Sequence, residues 1–420
     1  MRRAAIVLLL LTPAALAQVL VTAGELPRIE RIFQSRDGVD ALPCEVVPLT
    51  PSLNFAFRYQ AGYSFRVPQS QYRDSTRGWS VLTSISPEGG AAVHLLARTR
   101  LSEATRVGAS FSIRGLYFLG EGRYSVESTI RDDRNRVCRK QWQVVVEPSR
   151  LDRAVPPALR PNTVRPFSPF IAPEVPSQGD GAPKRLSVLL NAAAFSTGRT
   201  TMRPHDRAVL LGALTSLLEH LPAASMRLVV FSLEQQREIF RADNFAPPDT
   251  EKVAAAVRSF EQATVDVHVL EKPLGHVDFL AGLIGRERDA PDPADTVVFL
   301  GPTSRYGNKI PENALPAPVG GTAHFFYVRY ESPRHAPSTP EIPDDAAAQS
   351  ASAPRLPSSG TGVGGRGRAR PSDPPVPSQV PVAQPDIIMA AVARLKGKTL
   401  TIHTPADLAK AIRKIAEARP

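Results

Sequence analysis

Few residues of this sequence have the type and spacing that chemistry requires. His276 and Asp278 open one helical stretch, and His205 with Asp206 opens another. A histidine beside a carboxylate can serve as a general base, but polar residues at the start of a helix also satisfy its free N–H groups and its dipole. Hydrolase motifs such as G-x-S-x-G and H-E-x-x-H do not occur. The sequence therefore favours a protein without catalysis, in which His276 and Asp278 are candidate interaction residues.

Two tracts rich in glycine and arginine are candidate ligand-binding segments. Gly360-x-Gly362-x-x-Gly365 matches a dinucleotide fingerprint, but neither a strand before it nor a helix after it is predicted, so we reject it. Gly364–Arg370 could contact a polyanion electrostatically, but a solvated charged tract is the explanation that we favour. The net charge of +11 comes from scattered arginines, which bind a polyanion only if they share one face. We therefore expect no nucleic-acid partner and no cofactor.

The first residues predict export. Arg2 and Arg3 precede an apolar run from Ala4 to Leu11, and the small residues Ala15 and Ala17 follow. This is the pattern of a secretory signal peptide over residues 1–17, cleaved after Ala17, because the run is shorter than the ~20 residues of a membrane span. We expect a secreted or periplasmic protein without a stable membrane span after cleavage.

The predicted export also decides how the two cysteines, Cys44 and Cys138, are interpreted. In an oxidising environment an even pair predicts one disulfide. The bridge would close a loop of 138 − 44 = 94 residues.

Residues 18–147, which contain both cysteines, alternate apolar and polar side chains in short runs, which is the pattern of a β-sandwich. The predicted strands are Leu53–Val67, Trp79–Ile85, Val107–Ile113, Tyr124–Ile130 and Trp142–Val146, and a turn at Asp132–Asn135 joins the last two as a hairpin.

Proline marks the borders of the second region. Residues 148–184 are predicted to be a Pro-rich linker, and residues 333–385 a disordered insertion rich in Pro, Ser and Gly. Between them, residues 185–332 alternate apolar strands with amphipathic helices, and residues 386–420 add a helix, a strand and a helix. Such alternation predicts an α/β domain with a doubly wound, mostly parallel sheet, so the expected protein is multidomain, an all-β sandwich followed by this domain.

Two family resemblances follow from these patterns. Gly122-x-Tyr124-x-Val126 with the Asp-rich turn resembles the closing strands of immunoglobulin-like domains. The element order over Arg185–Tyr330, together with "TLTIHTPADLAKAIRKI" near the C-terminus, resembles the von Willebrand factor A family. That family carries a divalent-cation site with the spacing D-x-S-x-S after its first strand. The resemblance places Asn191, Ala193 and Phe195 at those positions and Pro302 near a later ligand.

The substitutions at these positions imply a degenerate metal site. Alanine and phenylalanine have no side-chain oxygen for a hard cation, so we expect Mg²⁺ and Mn²⁺ not to bind. The loop Gly301–Pro316 after a predicted strand offers Arg305, Tyr306 and Lys309 as further candidate interaction residues. We therefore expect a metal-independent binding protein with an unidentified protein or cell-surface partner. The alternatives are a hydrolase or transferase that uses the loops around Asn191, His276 and Asp278, and an envelope or polyanion binder that acts through arginine-rich surface.

Overall fold

The computed structural model describes most of the sandwich and of the region after it. The described residues are 18–33, 41–72, 78–100, 105–168, 170, 185–195, 202–260, 272, 274–304, 323–331 and 386–418. The predicted signal peptide, the insertion at 333–385, the greater part of residues 169–184 and the predicted strand Val265–Leu270 lie outside them. Among the described residues, no helix has both the length and the apolarity to cross a membrane.

Two antiparallel sheets form the N-terminal sandwich. The first has the order β1-β5-β4-β8-β9 and the second the order β10-β7-β3-β2, with β6 beside β7. The strands are β1 Val19–Leu20, β2 Glu45–Leu53, β3 Tyr59–Pro68, β4 Gly78–Pro87, β5 Val93–Arg100, β6 Thr105–Val107, β7 Ser110–Leu119, β8 Gly122–Asp132, β9 Val137–Val146 and β10 Val164–Pro166. Each sheet turns its apolar residues inward, and together they bury an aromatic-rich core.

Several details fit an immunoglobulin-like sandwich. Strands β5, β4, β8 and β9 form one sheet opposite β2, β3 and β7, as in domains of that type. Trp79 is buried on β4, and the Tyr124 hydroxyl donates a hydrogen bond of 2.8 Å to the Gly120 carbonyl, which is the arrangement called a tyrosine corner. The predicted hairpin is confirmed by the antiparallel pairing of β8 with β9.

The disulfide is also confirmed. Cys44 and Cys138 are bonded, with Cα atoms 6.3 Å apart. Cys44 lies just before β2 in one sheet and Cys138 lies on β9 in the other, so the bond joins the first long strand of the sandwich to its last long strand. In immunoglobulin domains the bond instead joins the second and sixth strands, so this bridge is placed differently.

The long strand predicted over Leu53–Val67 is wrong in one respect. A turn interrupts it at residues 54–58, where the Asn54 side chain accepts hydrogen bonds from the N–H groups of Ala56 and Arg58 and Phe57 takes a φ of 54°. The alternation of apolar residues continues through the turn because Phe55 and Phe57 pack against the second region of the molecule. Periodicity alone could not separate these two causes of burial.

The first two elements of the chain were not predicted from the sequence. Strand β1 pairs with β5, and helix α1 (Leu26–Phe33) lies over the outer face of the same sheet. Their apolar side chains Val21, Leu26, Ile29 and Phe33 cover Leu82 and Leu96, which point away from the sandwich core. A small second core therefore forms on this outer face.

The third sheet has six strands in the order β13-β12-β11-β14-β15-β16. Its strands are β11 Arg185–Asn191, β12 Ser225–Ser232, β13 Arg237–Ala242, β14 Thr296–Pro302, β15 His324–Tyr330 and β16 Lys398–Ile402. The sheet is mixed, since β13 pairs antiparallel at one edge while the other pairs are parallel. The helices are α2 Pro204–His220, α3 Thr250–Ser259, α4 Gly275–Arg288, α5 Ile387–Arg394 and α6 Pro405–Glu417.

The helices bury the sheet in two layers. Helices α2, α3 and α6 cover one face, against Val188, Leu190 and Val328. Helices α4 and α5 cover the other, against Leu189, Phe299 and Tyr327. Strands with buried residues on both faces lack the alternation of the sandwich strands, which is why this sheet reads as continuous apolar runs.

The predicted fold class and the resemblance to the von Willebrand factor A family are corrected. Of the residues that the structure describes, 42% lie in strands and 28% in helices. Its strands form three sheets, and nine of the thirteen strand pairings among the described residues are antiparallel. A doubly wound parallel domain of that family does not describe it. The prediction failed because alternation of strands and helices is common to many arrangements and no ligand motif supported the family.

The turn at residues 54–58 joins the two regions. Arg58 and Glu219 of α2 form a buried ion pair with an Nη2–Oε1 distance of 2.7 Å. The Ser216 hydroxyl donates to the Phe55 carbonyl at 2.7 Å, and the ring of Phe57 packs edge-on against His220. These contacts place the sandwich directly against helix α2.

Candidate functional site

The carboxyl ends of the parallel strands gather most of the polar residues that the sequence singled out. Helices α2, α4, α5 and α6 begin at this edge of the mixed sheet. Two contacts define it, since Asp206 of α2 accepts a hydrogen bond from the Phe195 N–H and the Ile387 N–H of α5 donates to the Ser304 carbonyl. Open α/β sheets bind ligands at this edge because loops of several strands converge there.

Asn191 and Ser304 form the centre of the edge. Asn191 ends β11 with 1% of its surface exposed, and its Nδ2 donates to Ser304 Oγ at 2.8 Å. Gly301 of β14 lies beside Asn191, where an added Cβ would come within 2.9 Å of the Asn191 Cβ. The Tyr327 hydroxyl donates to the Pro302 carbonyl at 2.6 Å. These bonds tie the ends of β11 and β14 to each other and the end of β14 to the middle of β15.

Asp386 connects this centre to helix α5. Its Oδ1 accepts hydrogen bonds of 3.1 Å from both the Ile388 and the Met389 N–H groups, so it caps the helix. Its Oδ2 lies 3.9 Å from Arg329 Nη1. Burial raises the pKa of the Asp386 carboxyl, against the lowering effect of the Met389 backbone hydrogen bond and of the Arg329 charge. Burial likewise raises the pKa of the Tyr327 hydroxyl.

His276 and Asp278 lie in the first turn of α4. His276 is buried, with 7% of its surface exposed. Burial lowers the pKa of its imidazole, and the nearby Asp278 opposes that shift only in part. Gly275 before it packs against Gln236 in the turn between β12 and β13, where a Cβ would come within 2.1 Å of Gln236 Oε1. A lowered pKa favours the neutral ring at pH 7, which can donate or accept a hydrogen bond.

The four positions of the predicted degenerate metal site have other contacts. Asn191 bonds Ser304, the Ala193 N–H donates to the Asn191 carbonyl, and Phe195 stacks against Tyr330 with ring centroids 4.3 Å apart. Pro302 accepts from Tyr327. Among the described residues, no group of three or more His, Cys, Asp or Glu side chains is placed to hold a metal ion. That Mg²⁺ does not bind stays a prediction, which melting curves with and without the ion would test.

The remaining candidate interaction residues come from the loop that follows β14. Arg305, Tyr306 and Lys309 lie outside the described residues, immediately after Ser304. The structure instead adds Ser304, Tyr327 and Asp386, which sequence reasoning missed. Only Asp386 carried a signal, since an aspartate directly before an apolar helix is a typical N-cap.

A second polar cluster lies at the opposite edge of the sheet. The carboxylate of Glu287, which is 1% exposed, accepts from the Ser187 hydroxyl at 2.7 Å and from Arg227 Nη1 and Arg241 Nη1 at 3.1 Å each. One carboxylate on α4 thus joins β11, β12 and β13. This cluster is a structural clamp, because each of its charges faces a partner.

Comparisons with known proteins give no family. No protein-family model matches the chain, and neither does any curated protein. A conjugate transposon protein (27–141) of Bacteroides vulgatus is 12% identical, with 27% of this chain and 93% of that one covered and a TM-score of 0.16. A β-glucuronidase of Bacteroides uniformis is 11% identical, with 70% of this chain and 36% of that one covered and a TM-score of 0.18. These TM-scores are too low for either likeness to carry an argument about fold or activity.

Proposed function

We propose that this is an exported, non-catalytic binding protein whose ligand-contacting edge is the carboxyl edge of the mixed sheet. The observation that carries the proposal is the bond between Asn191 and Ser304. A serine nucleophile needs a base within hydrogen-bond reach, and the group that holds Ser304 is an amide, which cannot take its proton. Ser304 is therefore a polar group held in place at this edge, and not a nucleophile.

The neighbouring groups support the same conclusion. Asp386 holds the N-terminus of α5, and Asp206 accepts from the Phe195 backbone, so both carboxylates already stabilise local structure. Side chains that are held by such bonds lose little freedom on binding, which favours recognition. Asp278, which is exposed at the start of α4, is the side chain that we assign to contact a partner at this edge, and the buried His276 lies in the same helical turn.

Export is the second part of the proposal. A disulfide and the lack of a membrane-crossing helix among the described residues are compatible with a secreted or extracellular protein. The signal-peptide pattern adds cleavage after Ala17 and release outside the cytoplasm. Intact mass of the exported protein tests this directly, because the mature chain then begins at Gln18.

Affinity capture tests the binding function. The full chain is immobilised and incubated with solubilised envelope of the native cell, alongside a His276→Ala, Asp278→Ala double variant. A matched control, Asp292→Ala, changes an exposed carboxylate at the opposite edge of the same sheet. We expect a partner that the wild type and the control retain and the double variant loses. A partner retained by all three overturns the assignment of the edge, and ester or glycoside hydrolysis abolished by Ser304→Ala overturns the non-catalytic function.

A further inference from the structure

The outer face of the first sandwich sheet is rich in arginine. Along β5, Leu95, Ala97 and Thr99 are buried in the sandwich, so the residues between them point outward, and the pairing of β5 with β4, β8 and β9 carries this alternation across the sheet. Helix α1 lies on the same side. The outward arginines, which we call the arginine face, are Arg28, Arg31, Arg98, Arg100, Arg123, Arg131 and Arg139.

Few acidic side chains balance this face. Within α1 and the strands of this sheet, the outward carboxylates are Glu30 and Glu127, and Glu25 comes just before α1. Glu127 pairs with Arg139 at 3.4 Å, where both side chains are about half exposed. Asp132 at the end of β8 is buried and pairs with Arg136. The arginine face therefore has a clear excess of positive charge.

Exposed apolar side chains lie among the arginines. Val145 is 46% exposed and stands directly opposite Arg123 in the pairing of β8 with β9. Ile32 of α1 is 42% exposed beside Arg31, and Val19 of β1 is 62% exposed. Val19 pairs with Leu96, two residues before Arg98. The same surface thus combines positive charge with apolar groups that water solvates poorly.

The opposite face of the sandwich differs. On the second sheet the outward charged residues are Arg66, Arg114 and Arg165 with Glu45, and Glu45 lies 3.6 Å from Arg66. The arginine face thus carries seven arginines against three carboxylates, and the opposite face three against one, so the arginine face is the more positive of the two.

We propose that the arginine face docks on an anionic lipid surface. Basic side chains are attracted by the negative potential of acidic headgroups, and exposed apolar side chains between them can enter the headgroup layer. Helix α1 and the strands beside it present these groups together over a broad surface, which suits a lipid leaflet better than a narrow ligand. This inference goes beyond the proposed binding edge, which lies in the other region of the molecule.

Vesicle co-sedimentation of the full chain tests the proposal. The vesicles are pure phosphatidylcholine, or phosphatidylcholine with about a third phosphatidylglycerol. We expect binding to the anionic vesicles only, weakened by salt because the charges are exposed. The variant Arg98→Gln with Arg123→Gln should bind about 25-fold more weakly, at about fivefold for each arginine near the surface. The control Arg114→Gln with Arg165→Gln removes the same charge from the opposite face and should stay within about twofold of wild type.

A third variant separates a lipid surface from a soluble polyanion. Ile32→Ser removes an exposed apolar side chain without changing charge, and it should weaken vesicle binding while leaving binding to soluble polyphosphate unchanged. Equal loss in both arginine pairs would assign the binding to net charge and overturn the proposal. So would an absence of binding to anionic vesicles at low salt, or an Ile32→Ser protein that binds them as tightly as wild type.

Discussion

The sandwich and the mixed sheet hold their outer strands to the rest of the structure by different means. In the sandwich, a covalent bond joins the start of β2 to β9 across a sequence separation of 94 residues. In the mixed sheet, the carboxylate of Glu287 joins β11, β12 and β13 through hydrogen bonds and charge. The disulfide limits the freedom of the unfolded chain, whereas the carboxylate acts only in the folded state. The two regions should therefore respond differently to reduction, to substitution and to pH.

The disulfide should contribute the largest effect. We expect the Cys44→Ser, Cys138→Ser variant to lose about 4–5 kcal/mol of unfolding free energy, from the chain-entropy cost of the loop. Both tryptophans of the chain, Trp79 and Trp142, lie on strands of the sandwich. Their fluorescence in a urea titration therefore reports this region, while the far-ultraviolet circular dichroism of the helices reports mainly the mixed sheet. Equal shifts of both signals would contradict separate stabilisation of the two regions.

Glu287→Gln should destabilise the mixed sheet by about 3 kcal/mol, the low end of the cost of breaking a buried ion pair. Arg227 and Arg241 lose their buried counter-charge but keep Asp243 and Glu238 as partners. The helical dichroism signal in urea measures the loss. The control is Asp292→Asn, which breaks a largely exposed pair with Arg185 and should cost under about 1 kcal/mol. A Glu287→Gln protein as stable as this control would show that the cluster does not clamp the strands.

Variants of the ion pair that joins the two regions test whether the regions unfold independently. Arg58→Met leaves Glu219 buried without its partner and should cost about 3 kcal/mol, whereas adding Glu219→Leu should recover most of that loss. A double-mutant cycle followed by both spectroscopic signals measures the coupling. If both signals shift together in Arg58→Met, the regions unfold as one unit. If the losses of the two single variants simply add, the ion pair does not connect them.

The sequence predicted the sandwich better than the mixed sheet, for a physical reason. A strand with one buried face shows the two-residue alternation of Trp79–Ile85 directly. The disulfide between the two cysteines was predicted from the oxidising compartment alone. The strands of the mixed sheet are buried on both faces, so the sequence showed that they are strands but not which family they form. The edge residues Ser304 and Asp386 are brought to Asn191 by distant parts of the chain, and no spacing in the sequence records that contact.

Asp386 should give the mixed sheet a pH dependence that its asparagine variant lacks. Burial raises the pKa of this carboxyl in the folded protein, so the folded state holds its proton over a pH range in which the unfolded state has released it. Stability from this group therefore falls as pH rises from the unfolded pKa, near 3.8, through the raised folded pKa. Asparagine caps a helix as well as aspartate does. Urea unfolding at a series of pH values measures this effect. The unfolding free energy of Asp386→Asn should rise relative to that of wild type as pH increases across that window, and a difference that stays constant with pH would refute the prediction.

The smallest expected effect concerns the end of helix α5. Lys396 follows the C-cap residue Leu395 and has a φ of 56°, a left-handed conformation that strains any residue with a Cβ. Its N–H donates to the Ala393 carbonyl and the Gly397 N–H donates to the Val392 carbonyl, so this conformation closes the helix. Lys396→Gly should therefore stabilise the mixed sheet by about 0.5–1 kcal/mol, after the entropy that glycine adds to the unfolded chain. Gly397→Ala is the opposed control, because its Cβ would come within 2.4 Å of the Phe325 carbonyl and must push β15 away. Thermal melting of the two variants should shift in opposite directions, and a Lys396→Gly protein that melts below wild type would show that the lysine side chain stabilises the turn by more than the backbone strain costs.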